Sequence, residues 1–177
     1  MNLRNLTTTL MIIAGASGTI TLSAQDKPFV VQIRSDYPME AIHDTIGNHA
    51  GLGLSLGYVV LSKDDSSFRG DGVFRIDFDE YSGNKSNVKS YTAALQVNLY
   101  PKRHSNFYVL FAPTIQAYRI SPETQKTTNY SSFGVQAGIG WAIENNLLHS
   151  IEASYERMDR VESHEFARVR FDFCFRF

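Results

Sequence analysis

The sequence predicts an all-β chain: an eight-stranded antiparallel up-and-down transmembrane β-barrel. Three observations carry that prediction. From Phe29 onward the dominant hydrophobic period is two. Most of the alternating segments reach ten residues or more, the length at which a strand tilted by about 45° crosses a bilayer core of about 30 Å. A short apolar run near the N-terminus has the make-up of an export signal. Composition does not decide the matter, because 43% hydrophobic and 20% charged residues suit an ordinary globular chain equally well.

The export signal comes first. Arg4 precedes the apolar run Leu10 to Ala16, and Thr21-Leu22-Ser23-Ala24-Gln25 follows with small and polar residues. That order predicts a signal peptide over residues 1–25, cut near Ala24 or Gln25, and a barrel domain over 26–177. The apolar run is far shorter than the roughly 18–20 residues of a spanning helix.

Strands are expected at Phe29 to Ser35, Ala50 to Ser62, Gly70 to Asp79, Val88 to Tyr100, Asn106 to Ile120, Ser131 to Ile143, Leu147 to Met158 and Glu165 to Phe177. In the second, Leu52, Leu54, Leu56, Tyr58 and Val60 share one face, with Gly51, Gly53, Ser55 and Gly57 on the other. In the fourth, Tyr91, Ala93, Leu95, Val97 and Leu99 oppose Thr92, Ala94, Gln96 and Asn98. The last is the clearest: Ala167, Val169, Phe171, Phe173, Phe175 and Phe177 lie on one face, and Arg168, Arg170, Asp172, Cys174 and Arg176 on the other.

A soluble barrel points the large apolar face inward, and a membrane barrel points it into lipid. Long strands and glycines on the polar face favour the second arrangement. So does an expected asymmetry of connections. Asp36 to His49, Glu80 to Asn87, Ser121 to Tyr130 and Asp159 to His164 read as mostly long, polar outer loops, whereas Tyr100 to Ser105 and Glu144 to Asn146 read as short periplasmic turns and Ser62 to Arg69 as a longer one. Tyr58, Tyr91, Phe107, Phe133, Trp141, Tyr155 and Phe177 are placed to form interfacial girdles.

The same assignment sends Arg34, Arg75, Asp77, Asp79, Glu152, Glu156, Arg168, Arg170, Asp172 and Arg176 into the lumen. Buried charges persist only when paired and hydrogen-bonded. An ion-pair network of Arg75, Asp77, Glu152, Glu156, Arg168, Arg170 and Asp172 is therefore expected, with Glu152 and Glu156 meeting Arg168 and Arg170. An eight-stranded barrel is only wide enough for side chains, so this network predicts a filled lumen and no general porin activity.

No catalytic, cofactor or metal site stands out. His43, His49, His104, His149 and His164 fall in expected loops, turns or strand ends without ligand spacing. Adjacent His149 and Ser150 face opposite sides of a strand and make no nucleophile–base pair. Gly51, Gly53 and Gly57 alternate with leucines and suit close packing better than phosphate binding. Cys174 is the one cysteine, so it has no partner for an intramolecular disulfide, and it lies far from the signal end where a lipid anchor would need one. The net charge of −1, with signs interspersed, gives no footprint for nucleic acid.

At the level of pattern the chain resembles the small outer-membrane barrels of the OmpA and OmpX type. The most specific element is the ending Phe171-Asp172-Phe173-Cys174-Phe175-Arg176-Phe177. Phe177 matches the family's terminal aromatic, Phe175 the hydrophobic position two before it, and Arg170 an upstream polar position; Asp172 departs from the family's frequent glycine. The resemblance implies that Phe173, Phe175 and Phe177 form an insertion signal read by the barrel-assembly machinery. It also implies a monomer in the bacterial outer membrane, with lipid and lipopolysaccharide as neighbours and outer loops that meet environmental or host ligands. A lipid-modifying membrane enzyme and a soluble, exported lipocalin-like barrel are the alternative expectations.

Overall fold

The computed structural model describes residues 28–47, 49–64, 69–83, 86–102, 104–122, 126–143, 149–161 and 164–177. The expected signal peptide lies outside them. The chain forms β1 (Phe29–Met39), α1 (Glu40–Ile46), β2 (Gly51–Asp64), β3 (Arg69–Ser82), β4 (Ser86–Tyr100), β5 (Phe107–Pro122), β6 (Thr128–Ala142), β7 (His149–Val161) and β8 (His164–Arg176). Every strand pairs antiparallel with its sequence neighbour, and β8 returns to β1, closing the sheet into a barrel. Closure leaves no unpaired edge, the requirement for a sheet surrounded by hydrocarbon. At one rim, here the near end, Phe29 and Phe177 exchange backbone hydrogen bonds of 3.2 and 2.9 Å. The opposite rim, the far end, carries α1.

The barrel is inside out relative to a soluble one. Leu52 is 73% exposed and Phe111 52%, while Arg75 and Arg168 are fully buried. Leucines, phenylalanines, isoleucines and valines from all eight strands line the outer wall, and polar residues alternate with them inward. β-Branched and aromatic residues at the outward positions favour the extended backbone as well as the apolar surroundings. In β8, Phe171 and Phe173 point out, and Arg168, Arg170, Asp172 and Cys174 are buried.

The strands run further toward the far end than the hydrophobic pattern does. β5 has 16 residues, roughly 53 Å at 3.3 Å per residue, more than an apolar core requires. The expected long outer loops therefore contract to residues 83–85, 123–127 and 162–163, against near-end connections 65–68, 101–106 and 143–148. Apart from residues 40–50, which hold α1, the far-end connections are no longer than the near-end ones, so the expected length asymmetry is absent from them. Backbone ladders continue past the apolar belt with polar residues facing outward, and such strand ends read as loops in a sequence.

Two further departures follow from local geometry. The β2–β3 ladder slips between Val59 and Leu61, so Val60 is the extra residue of a bulge, Val59 turns inward and Leu61 outward. The first expected outer loop contains α1, whose Ile42 and Ile46 lie four apart on one helical face. Both are buried in the far mouth among Tyr81, Val88, Tyr118, Ile120, Met158 and Phe166. Gly47 ends the helix at φ 75°, with its N–H bonded to the His43 carbonyl at 2.7 Å. Toward the near end, Tyr100, Tyr108, Leu110 and Ala142 form a second apolar cluster, and Val30, Val59 and Val73 a third.

Candidate functional site in the barrel lumen

Between the apolar clusters, the inward positions of β1, β3, β7 and β8 bring four buried guanidiniums together with carboxylates. Arg168 donates from Nε to Glu156 Oε2 at 2.6 Å and from Nη1 to Asp79 Oδ2 at 2.6 Å, with Asp36 Oδ2 at 3.3 Å and the Tyr81 hydroxyl at 3.0 Å. Its Nη2 reaches Thr92 Oγ1 at 3.1 Å. Arg170 shares Glu156 Oε2 at 2.6 Å and donates to Asp77 Oδ2 at 2.8 Å. Arg34 meets Asp172 Oδ1 at 2.5 Å and Asp79 Oδ1 at 3.0 Å. Arg75 pairs with Asp77 at 2.9 Å and donates to the side-chain oxygens of Gln96 and Gln136. These contacts tie six strands across the interior.

Space for the network comes from glycine on facing strands. Gly53 is the register partner of Asp79, and a Cβ at Gly53 would coincide with that carboxylate. Gly140 likewise faces Tyr108, whose ring occupies the volume that a Cβ would take.

Of the residues expected to form the network, Arg75, Asp77, Glu156, Arg168, Arg170 and Asp172 all lie in it. Glu152 is placed differently from the expectation that it meets Arg168 or Arg170. The β7–β8 register sets Glu156 opposite Arg168 but Glu152 opposite Asp172. Glu152 accepts instead from neutral donors: the Tyr108 hydroxyl at 2.7 Å, Gln96 Nε2 at 3.0 Å and Gln32 Nε2 at 3.3 Å. Sequence reasoning missed Asp36, which it assigned to a loop, and the glutamines and tyrosines that complete the bonds. The signal for Asp36 was present: Val30, Gln32, Arg34 and Asp36 continue one alternating face.

Phe173 and Phe177, expected in an insertion signal, are exposed on the outer wall, and Phe175 is half-buried against Phe173 and the His149 ring. The His149 ring thus packs on Phe175, while the Ser150 hydroxyl accepts from Tyr108 at 3.0 Å, so the two do not meet. Among the described residues no group of three or more His, Cys, Asp or Glu side chains is placed to hold a metal ion.

An apolar belt around a closed sheet, with buried charge in the lumen behind it, defines a transmembrane β-barrel. Comparison with solved structures shows the fold of the small eight-stranded outer-membrane barrels. The N-terminal barrel domain of Pseudomonas aeruginosa OprF superposes with a TM-score of 0.60 at 14% identity, covering 86% of this chain and 98% of that one. Ail, the attachment invasion locus protein of Yersinia pestis, gives 0.53 at 15%, covering 85% and 97%. Neisserial surface protein A gives 0.51 at 15%, covering 84% and 97%. No protein-family model matches the chain, and no curated protein matches it in sequence.

Proposed function

We propose that this protein stands in the bacterial outer membrane as a structural or surface-interaction barrel whose lumen is sealed to solutes of porin size. The arginine network carries the reading. Arg34, Arg75, Arg168 and Arg170 each reach side chains on other strands, so hydrogen-bonded side chains span the interior at their level, which supports a filled lumen. α1 closes the far mouth above them with Ile42 and Ile46. A role at the surface is supported by the fold shared with Ail and Neisserial surface protein A, whose names describe attachment and surface location. The surface offered is compact: α1 and the short far-end connections rather than long loops. Lipid and lipopolysaccharide are the neighbours that the apolar wall implies, and Phe173, Phe175 and Phe177 are the proposed insertion signal.

Cell fractionation followed by liposome swelling tests both parts. The protein is expected in the detergent-soluble outer-membrane fraction, and vesicles containing it should swell in sugars no faster than empty vesicles. Recovery as a detergent-free periplasmic monomer would overturn the location, and sugar uptake at porin rates would overturn the sealed lumen.

A further inference from the structure

On the outer wall toward the far end, one row of register partners is polar across four strands: Glu80 of β3, Lys89 of β4, Arg119 of β5 and Asn129 of β6. All four side chains are exposed. Lys89 and Arg119 stand directly opposite one another across the β4–β5 ladder, an arrangement in which Cβ atoms are about 5 Å apart and like charges destabilise the pair. Glu80 Oε1 lies 3.5 Å from Lys89 Nζ, on the strand away from Arg119. Arg119 has no counter-charge among the described residues. Lys126 adds a third exposed cation to this sector, because the adjacent Thr127 lies 3.4 Å, hydroxyl to hydroxyl, from Ser121, two residues beyond Arg119.

The apolar belt begins one outward step below. There the register partners are Phe78, Tyr91 and Ala117, and the rings of Phe78 and Tyr91 meet edge to face with centroids 5.8 Å apart. A tyrosine between an apolar wall and a charged row marks the headgroup level of a bilayer. We propose that Lys89 and Arg119 bind the phosphate monoester of a membrane lipid in the leaflet at the far end. A monoester carries nearly two negative charges at neutral pH and matches the two opposed cations, whereas a diester carries one. The planar guanidinium takes two phosphate oxygens and the ammonium supplies a compact charge beside it. A lipid rather than free phosphate is the ligand because the pair sits on the lipid-facing wall, where the small side chains of Ala117 and Ala93 stand next to Tyr91 and Ile115 and leave room for an acyl chain. The site rests on the membrane placement proposed above and names one lipid class within it.

The test is native mass spectrometry of the purified, folded barrel released from detergent micelles that hold equal amounts of phosphatidic acid, phosphatidylglycerol and phosphatidylcholine with the same acyl chains. Phosphatidic acid, the monoester, should be retained about thirtyfold over phosphatidylcholine, and Lys89→Gln combined with Arg119→Gln should remove that preference. Arg157→Gln, at an exposed arginine paired with Glu165 at 2.8 Å, should leave it intact. Equal retention of the three lipids would overturn the proposal, and retention of phosphatidylglycerol equal to that of phosphatidic acid would overturn the monoester. A preference that survives the double substitution, or that Arg157→Gln abolishes as fully, would place the lipid elsewhere. Displacement by inorganic phosphate at the concentration of the lipid would overturn the lipid as the source of the phosphate. Should the double variant not fold, the wild-type ranking and the single variants, each expected to lose about fivefold, decide. A detergent-free periplasmic monomer on fractionation overturns the membrane placement and this site together, whereas an outer-membrane barrel without lipid preference overturns the site alone.

Discussion

Arg34 and Asp172 are register partners across the seam that joins the first strand to the last, and Arg34 Nε donates to Asp172 Oδ1 over 2.5 Å. Both side chains are fully buried. Removing either partner strands a charge at the closure of the barrel. Arg34→Ala or Asp172→Ala should each cost about 3–5 kcal/mol, read from urea unfolding in lipid vesicles. A double variant with two apolar residues of similar volume should recover most of the loss. Additive losses in that variant would show that the pair is not the source of the effect.

The two glutamates of β7 should behave differently. Glu156 Oε2 accepts from Arg168 and Arg170, both at 2.6 Å, so Glu156→Gln leaves two buried guanidiniums short of their counter-charge and should cost about 3–5 kcal/mol. Glu152 is held by neutral donors, and Glu152→Gln should cost about 1–3 kcal/mol. The check is the order of the unfolding free energies, and equal or reversed losses would contradict the assignment of partners.

Steric room at Gly140 is fully used. A methyl group there would occupy the position of the Tyr108 ring, so Gly140→Ala should destabilise by about 1–3 kcal/mol through forced rearrangement. At Gly72 the nearest atom to an added Cβ is the Leu61 Cβ at 3.3 Å, and Gly72→Ala should cost distinctly less. Similar losses at the two positions in a heat-resistance assay on gels would remove this explanation.

Trp141 is the sole tryptophan and is 57% exposed on the outer wall toward the near end. In lipid it should emit at short wavelength and be quenched by brominated lipids, more strongly by those labelled near the headgroup than at the chain ends. Quenching by a water-soluble agent as efficient as for free tryptophan would place the wall in water.

Seating of α1 should be separable from the barrel. Truncating Ile42 and Ile46 to alanine removes two buried side chains from the far mouth, each substitution worth about 2–5 kcal/mol where fully buried. Because strand pairing does not depend on the helix, hydrogen exchange should accelerate over residues 40–46 while the strands stay protected. Uniform acceleration through all strands would mean that the helix is integral to barrel stability.

The sequence made the strand count and the facing of most side chains legible, because a period of two separates Phe171 and Phe173 from Arg170 and Asp172 without reference to any other strand. It could not show which residues lie opposite one another. Register depends on the stagger with which eight strands close, a property of the whole sheet, and that is why Glu152 proves to face Asp172. The bulge at Val60 is equally silent in sequence, since valine fits either face. α1 was hidden by its brevity: two isoleucines four apart within seven residues give too little periodicity to mark a helix. Asp36 was read as loop because the outward residues beside it no longer form an apolar run, although its inward alternation continues.

The hydrogen bonds between Phe29 and Phe177 bear on the order of assembly. The seven hairpin pairings are local in sequence, but the β1–β8 seam joins segments separated by nearly the whole described chain, and such contacts carry the largest loop-closure entropy. Arg34 acquires Asp172, and Asp36 acquires Arg168, only across that seam. Until it shuts, these side chains belong to an open, curved sheet whose polar face can stay hydrated. Dehydration of the interior is therefore a late event, coupled to the meeting of the first and last strands, so a chain that forms its hairpins without completing the circle remains unfinished in its electrostatics as well as in its topology.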